Sequence, residues 1–279
     1  MHVGVAMFAT TYATPVAELA VALEARGFES FWAPEHSHIP TSRESAFPQG
    51  GELPRKYYDV MDPFVSLSVA AAVTSSLKVA TGICLVPQRD PIQTAKAVAS
   101  LDQVSGGRFL FGIGAGWNAD EMRNHGTQFN GRMRVMRERV EAMRAIWTRD
   151  EAEYSGETLE FGPMRTEPKP FQKPYPPVLV GGGFPHGAKR AIAYGDGWVP
   201  HARRPDYHLL DKLDDYRQMA EAAGKSLPIT AFGAEHDAGA WEAYAAAGVE
   251  RIVISVDSEP ASILLPKLDR FAKALERLT

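Results

Sequence analysis

The stretch from Leu77 to Gly114, "LKVATGICLVPQRDPIQTAKAVASLDQVSGGRFLFGIG", decides the fold. It opens on an apolar run at 77–86 and continues as a helical pattern over 91–105. Gly106-Gly107 closes the helix, and a second apolar run follows at 108–114. Both runs are too continuously apolar to face water, so they read as parallel strands covered on both faces. Strand, helix, strand in that order is the crossover unit of α/β folds.

Working outward, the same unit recurs. "VGVAMF" (3–8) is strand one, and 16–26 is an amphipathic helix ended by Gly27. "FESFWAP" (28–34) is strand two, followed by a helix over 62–76 with Asp62-Pro63 as cap and first residue. The helix behind strand four spans 133–147. "PVLVGG" (177–182), "GWVP" (197–200), "PITAFG" (228–233) and "RIVISV" (251–256) make strands five to eight. Their helices fall at about 185–194, within 205–223, at 238–248 and at 260–278. Eight strands alternating with eight helices predict a (β/α)8 TIM barrel. A doubly wound open sheet is the rival, but its nucleotide fingerprint is missing: after Gly112-x-Gly114 the third glycine position holds Trp117. Two insertions, 37–61 after strand two and 148–176 after strand four and its helix, are rich in Pro, Gly and charge and read as lids or substrate walls. The whole chain, 1–279, reads as one barrel domain.

Composition narrows the function. The 279 residues carry 30 basic and 34 acidic side chains, a net charge of -4 with no long run of either sign. That argues against a nucleic-acid or membrane-surface partner. The lone cysteine, Cys84, excludes an internal disulfide and a multi-cysteine zinc site. No apolar stretch approaches the roughly 18–20 residues that span a bilayer, and "MHVGVAMF" enters a strand pattern at once, without a signal segment. The expectation is a cytoplasmic enzyme acting on a small molecule.

Barrel enzymes build their sites from the loops at the carboxyl ends of the strands, and the unusual residues fall there. Strand two ends in Glu35, His36 and His38, and strand three in Gly82, Ile83 and Cys84, then Gln88 and Arg89. Strand four ends in Ala115, Gly116, Trp117 and Asn118, strand five in Gly181, Gly182 and Gly183, and strand six in His201, Arg203 and Arg204. Gly112, Gly114 and Gly116 alternate along one face and would clear a flat surface beside Trp117; the other reading is packing against a neighbouring helix. Gly181 to Gly183, ahead of a helix near Pro185, offer bare backbone N–H groups and a positive helix end, a phosphate cradle unless they are a plain flexible loop. Together these features point to a flat, phosphate-bearing cofactor. A His-x-His metal pair of the amidohydrolase kind is the sharp rival for His36 and His38, but strands four and five end in glycines where further ligands are needed. His36, immediately beyond its strand, is the candidate proton donor or acceptor, with Glu35 as its tuner and His38 one step into the substrate loop. Tyr57, Tyr58 and Trp117 are candidate aromatic walls.

"FWAPEHSHIP" (31–40), "GICLVPQRDPIQTAK" (82–96), "SGGRFLFGIGAGWNADEMRNHG" (105–126) and "PPVLVGGGFPHGAKRAIAYGDGWVP" (176–200) resemble the luciferase-like family of (β/α)8 flavin and deazaflavin oxidoreductases. The likeness is strongest to its branch of coenzyme F420-dependent oxidoreductases. It implies a cofactor ring at the carboxyl end of the barrel, backed by a non-prolyl cis peptide that would fall at Gly82–Ile83. The ring edge would meet Ala115 to Asn118, the cofactor tail Gly181 to Gly183, and a catalytic histidine would be His36. The resemblance further implies hydride transfer between F420 and a small organic substrate, often in a homodimer. It leaves two alternatives, an FMN-dependent monooxygenase using oxygen and a non-catalytic cofactor-binding barrel. The chain departs from the sugar-phosphate dehydrogenases of the family at Ala115, where those enzymes place a partner glutamate. Another residue must then complete the proton relay.

Overall fold

The computed structural model describes residues 1–278. Its centre is eight parallel strands: β1 (His2–Ala6), β2 (Ser30–Ala33), β3 (Lys78–Thr81), β4 (Phe109–Gly114), β5 (Val178–Gly181), β6 (Gly197–Val199), β7 (Thr230–Ala234) and β8 (Arg251–Ser255). They pair in the order β7-β8-β1-β2-β3-β4-β5-β6. Bridges from Trp198 to Ile229 and from His201 to Phe232 join β6 to the β7 edge, so the sheet closes into a barrel. Around it lie α1 (Val16–Ala25), α2 (Pro63–Ala72), α3 (Pro91–Ser105), α4 (Ala119–Asn124), α5 (Arg132–Thr148), α6 (His186–Tyr194), α7 (Leu213–Ala222), α8 (Ala238–Ala246) and α9 (Ala261–Leu275).

Strand alternation sorts the apolar side chains into two cores. Ala6, Trp32, Ala80, Leu110, Leu179, Val199, Phe232 and Val253, one from each strand, fill the barrel interior. Trp32 is the largest of them, and its indole N–H donates to Ser30 Oγ at 2.8 Å. Gly4 makes room for it, since a Cβ there would lie 2.8 Å from Trp32 Nε1. The opposite faces, including Phe31, Val79, Phe111 and Val180, pack outward against the helices. Two Asp-Pro steps start the helices behind β2 and β3: the Asp62 carboxylate accepts from Phe64 N–H at 2.8 Å and that of Asp90 from Gln93 N–H at 2.7 Å. At the amino ends of the strands, Arg251 forks onto both oxygens of Glu29 at 2.8 Å each, with Lys78 at 3.0 Å.

Several local expectations are corrected. The third strand does not run through to residue 86: β3 stops at Thr81, the Gly82–Ile83 peptide is cis, and Cys84–Leu85 resumes pairing beside β4. The glycine face of β4 is not clear surface. A Cβ on Gly112 would collide with the Thr81 carbonyl oxygen, and one on Gly114 with the Ile83 side chain. Those glycines serve packing, as the second reading held, although the partner is the neighbouring strand and its extension rather than a helix. The 148–176 segment carries an antiparallel hairpin of Ala152–Ser155 and Glu160–Met164. Chain 205–223 begins with the end of a small hairpin, Arg203–Arg204 with Tyr207–His208, and its α-helix starts only at Leu213. Helix α4, inside the motif that follows β4, has no counterpart among the expected elements.

Candidate active site at the carboxyl end of the barrel

Beyond β2 the side chains of Glu35 and His36 find partners in different elements. Glu35 turns away from the mouth. Its carboxylate accepts from Leu85 N–H at 2.6 Å and from Arg89 Nε–H at 2.5 Å, and Arg89 continues to Asp62 at 2.5 Å. This network ties the end of β2 to the Cys84–Leu85 segment and to the start of α2. Glu35 is therefore an anchor and touches no ring of His36, which corrects its reading as a tuner.

His36 turns the other way and is 9 % exposed. Its Nδ1 lies 2.8 Å from Oε2 of Glu121, which is fully buried on α4. The other oxygen of Glu121 accepts from Ser37 N–H at 3.1 Å. Aromatic rings surround the imidazole: Tyr57 at 5.3 Å and Trp117 at 5.7 Å between centroids. Phe47 touches both of those rings, at 5.3 Å and 6.0 Å, and Phe8 meets Tyr57 at 4.7 Å. Burial pushes the Tyr57 phenol above its ordinary range, so it stays neutral. The insertion that carries Phe47 and Tyr57 is pinned to α4: Ser42 Oγ–H donates to Asp120 at 2.5 Å, Ala119 N–H to Ser45 Oγ at 2.8 Å, and Arg123 pairs with Glu44 at 2.9 Å. Of the three candidate wall residues, Tyr57 and Trp117 thus stand beside His36, whereas Tyr58 is 51 % exposed.

His38 belongs to a separate cluster at the rim. Its Nδ1 is 2.9 Å from Ser37 Oγ, its Nε2 is 2.9 Å from Asn124 Nδ2, and Ser37 Oγ also meets His125 Nε2 at 2.6 Å. Among the described residues, no group of three or more His, Cys, Asp and Glu side chains is arranged to hold a metal ion.

The residues expected to meet a cofactor divide. Gly82 and Ile83 lie at the mouth, half-buried, Ile83 filling the space left by Gly114 and bordering Gly181, whose added Cβ would sit 3.3 Å from its Cδ1. Cys84 and Ala115 turn their side chains into the outer core, so only their backbones remain for the mouth. Burial, with the Glu35 carboxylate alongside, pushes the Cys84 thiol well above its ordinary range. Gly116 takes the left-handed conformation at φ +76°, and Gln88, Met122 and Leu85 crowd it, an added Cβ lying 3.5–3.6 Å from each. Asn118 spends its Oδ1 capping α4, accepting from Glu121 N–H at 3.4 Å. Its Nδ2, like Nε2 of Gln88, is buried without a hydrogen-bond partner. Gly182 N–H donates to Val199 O at 3.2 Å, which corrects the picture of three bare amides. Cations flank what is left of that cradle: Arg190 stands where an added Cβ of Gly182 would come within 2.9 Å of it, and Arg204 within 3.1 Å at Gly183. Arg190 Nε is buried and unpaired. His201 sits at the barrel closure, edge-on to Phe232 at 6.0 Å.

The (β/α)8 barrel thus carries a buried His–carboxylate pair, unpaired amide donors and cation-flanked glycines in the loops after its strands. Comparison with known proteins gives the family. The luciferase-like monooxygenase profile matches residues 1–276, and the chain belongs to that family. An uncharacterized protein of Mycobacterium tuberculosis is 38 % identical over 281 residues, covering 99 % of each chain. The F420-dependent hydroxymycolic acid dehydrogenase of Mycobacterium tuberculosis is 28 % identical over 74 % of this chain and 53 % of its own. The FMNH(2)-dependent dimethylsulfone monooxygenase of Pseudomonas putida is 30 % identical over 57 % of this chain and 44 % of its own. A crystal structure of a monooxygenase from Streptomyces bottropensis superposes with a TM-score of 0.80 at 22 % identity, covering 100 % of this chain and 99 % of that one. Oxidoreductases that use F420 or a flavin are thus its relatives. Among the described residues no helix is long and apolar enough to cross a membrane.

Glu121, Phe47 and Phe8 are the residues that sequence reasoning missed. A signal for Glu121 is present: Asn118-x-x-Glu121 has the spacing of a helix-capping box, which marks both the short helix and a carboxylate in its first turn. Here the carboxylate reaches His36 instead of turning back to the cap.

Proposed function

We propose that the chain is a cytoplasmic F420-dependent oxidoreductase in which His36 carries the proton that accompanies hydride transfer to or from a small organic substrate. The observation that carries this reading is the buried His36–Glu121 pair, enclosed by Tyr57 and Trp117 at the barrel mouth. The residues present fit such a cofactor. Gln88 Nε2 and Asn118 Nδ2 are buried donors in need of acceptors, as a ring edge rich in carbonyl oxygens provides. Gly183, the first turn of α6, Arg190 and Arg204 would hold the anionic tail, and Ile83 would lie under the ring. F420, when bound, supplies a carbon that exchanges a hydride and does not react readily with oxygen. The protein excludes water with Phe47, Tyr57 and Trp117, and holds a proton at the imidazole face opposite Glu121.

Side-by-side titration of the purified protein with F420 and with FMN tests the reading. Micromolar or tighter binding of F420, with FMN clearly weaker, is expected. Tight FMN binding with substrate-linked oxygen consumption would replace it by the monooxygenase reading, which the dimethylsulfone monooxygenase relative favours. Tight binding without turnover toward any acceptor would leave a cofactor-binding barrel.

A homodimer is part of the proposal. Val65, Val69 and Val73, spaced four apart along α2 and its C-cap, are 64 %, 41 % and 43 % exposed, and Val104 on α3 is 57 % exposed. Such a stripe supports an interface between copies. Light scattering should give twice the chain mass for the wild type, and the V65D/V69D double substitution should halve it.

A further inference from the structure

We propose that Glu121 is the positioning residue of this site, fixing His36 with its proton on Nδ1 so that Nε2 alone faces the reacting groups. This rests on the reading of His36 given above and supplies the acid that Ala115 cannot. The argument is one of donors and acceptors. Glu121 is fully buried, and Oε1 meets the backbone N–H of Ser37 at 3.1 Å. A peptide N–H can only donate, so Oε1 must accept. Taking Glu121 as the carboxylate, Oε2 has no proton to give, and the His36 Nδ1 at 2.8 Å donates to it. Ser37 Oγ approaches the same Oε1 at 3.5 Å, adding a second donor on that side. The neighbouring charged pair does not compete, since Arg89 is bonded to both Glu35 and Asp62.

Two adjacent residues, His36 and Ser37, therefore grip one carboxylate from its two ends, and α4 delivers it. The Ala115 methyl packs in the outer core and supplies no acid to the imidazole. In the reducing direction His36 starts as the imidazolium, gives its Nε2 proton to the substrate oxygen as the hydride reaches carbon, and is left neutral with its Nδ1–H donating to Glu121. In the oxidising direction Nε2 takes the hydroxyl proton and the imidazolium formed is paired with the carboxylate.

The test reads the tautomer directly in full-length protein labelled with 15N-histidine, without cofactor. Long-range 1H–15N correlation, with the His36 signals assigned by their loss in H36N, should show Nδ1 protonated in the wild type. In E121Q the Ser37 N–H still claims the amide oxygen, which turns the amide NH2 toward Nδ1 and drives the proton to Nε2. Turnover should then fall by roughly 10²- to 10⁴-fold, with the cofactor Kd changed less than about twofold. Ser37→Ala keeps the backbone donor and should leave the tautomer as in wild type. A wild-type spectrum with His36 protonated only on Nε2, or E121Q with unchanged tautomer or turnover, overturns the proposal; the wild-type spectrum decides even if E121Q does not fold. Normal turnover in H36N would instead remove the proton role of His36 while leaving the tautomer result standing, so the two ideas fail separately.

Discussion

Replacing His36 by alanine should lower turnover by roughly 10²- to 10⁴-fold while leaving cofactor affinity within a few-fold of wild type. The split follows from where the side chain sits. His36 stands between Tyr57 and Trp117, and its polar partner is Glu121. The groups available to a cofactor tail lie beyond β5 (Gly183, Arg190) and β6 (Arg204), and the free amide donors of Gln88 and Asn118 lie beyond β3 and β4. None of these depends on the imidazole. Single-turnover measurements after saturation with reduced cofactor would isolate the affected step. An H36A enzyme with wild-type turnover, or one whose only defect is cofactor binding, would contradict the assignment. Added imidazole should recover part of the loss, because the substitution vacates ring-sized space beside Glu121 rather than removing a structural strut.

The barrel was legible because its signal is repetitive. Eight apolar runs separated by helical patterns leave few topologies, and the run at 77–114 already implies a parallel sheet covered on both faces. The polar stretch after β2 was legible as a turn at the carboxyl end of the barrel, where Glu35 and His36 follow the strand. Side-chain direction beyond the strand was not legible. Glu35 and His36 differ by one residue, and which of them turns inward follows from the register set by Trp32 in the barrel interior. Partners brought by the loops were equally hidden. Glu121 lies far from His36 in the chain, and Phe47 reaches the site only because Ser42, Glu44 and Ser45 fasten their loop to α4. The glycines of β4 misled because a missing Cβ signals a close approach without saying whose. The neighbour is the protein's own Thr81 and Ile83.

Stability should respond most strongly at the opposite end of the barrel. Substituting Arg251 by methionine is expected to cost about 3–5 kcal/mol of unfolding free energy at neutral pH, measured by urea denaturation. Arg251 opens β8 with a side chain 3 % exposed, and its guanidinium grips both oxygens of Glu29, which leads into β2, while a further bond reaches Thr230 on β7 at 3.2 Å. One residue thus ties β7, β8 and the start of β2 across β1. Methionine fills the volume but leaves a largely buried carboxylate with the weaker support of Lys78 at 3.0 Å and the Ser30 hydroxyl. The pH dependence separates lost charge pairing from lost packing. In the wild type, burial alone would raise the Glu29 pKa, but the hydrogen bonds and charge of Arg251 override it and hold the group at about 2. A depressed carboxylate contributes stability above its unfolded pKa of about 4.3, and that stability is lost as pH falls toward 2. In R251M the hold of Arg251 is gone and burial weighs more against the charged form, so acid weakens the variant less than the wild type. The stability gap between the two proteins should therefore narrow steadily below about pH 5. The E29Q/R251M double substitution, which removes the stranded charge, should be more stable at neutral pH than R251M alone. A gap that stays constant with pH, or a double variant no better than R251M, would show that Arg251 acts through packing and not through its hold on Glu29.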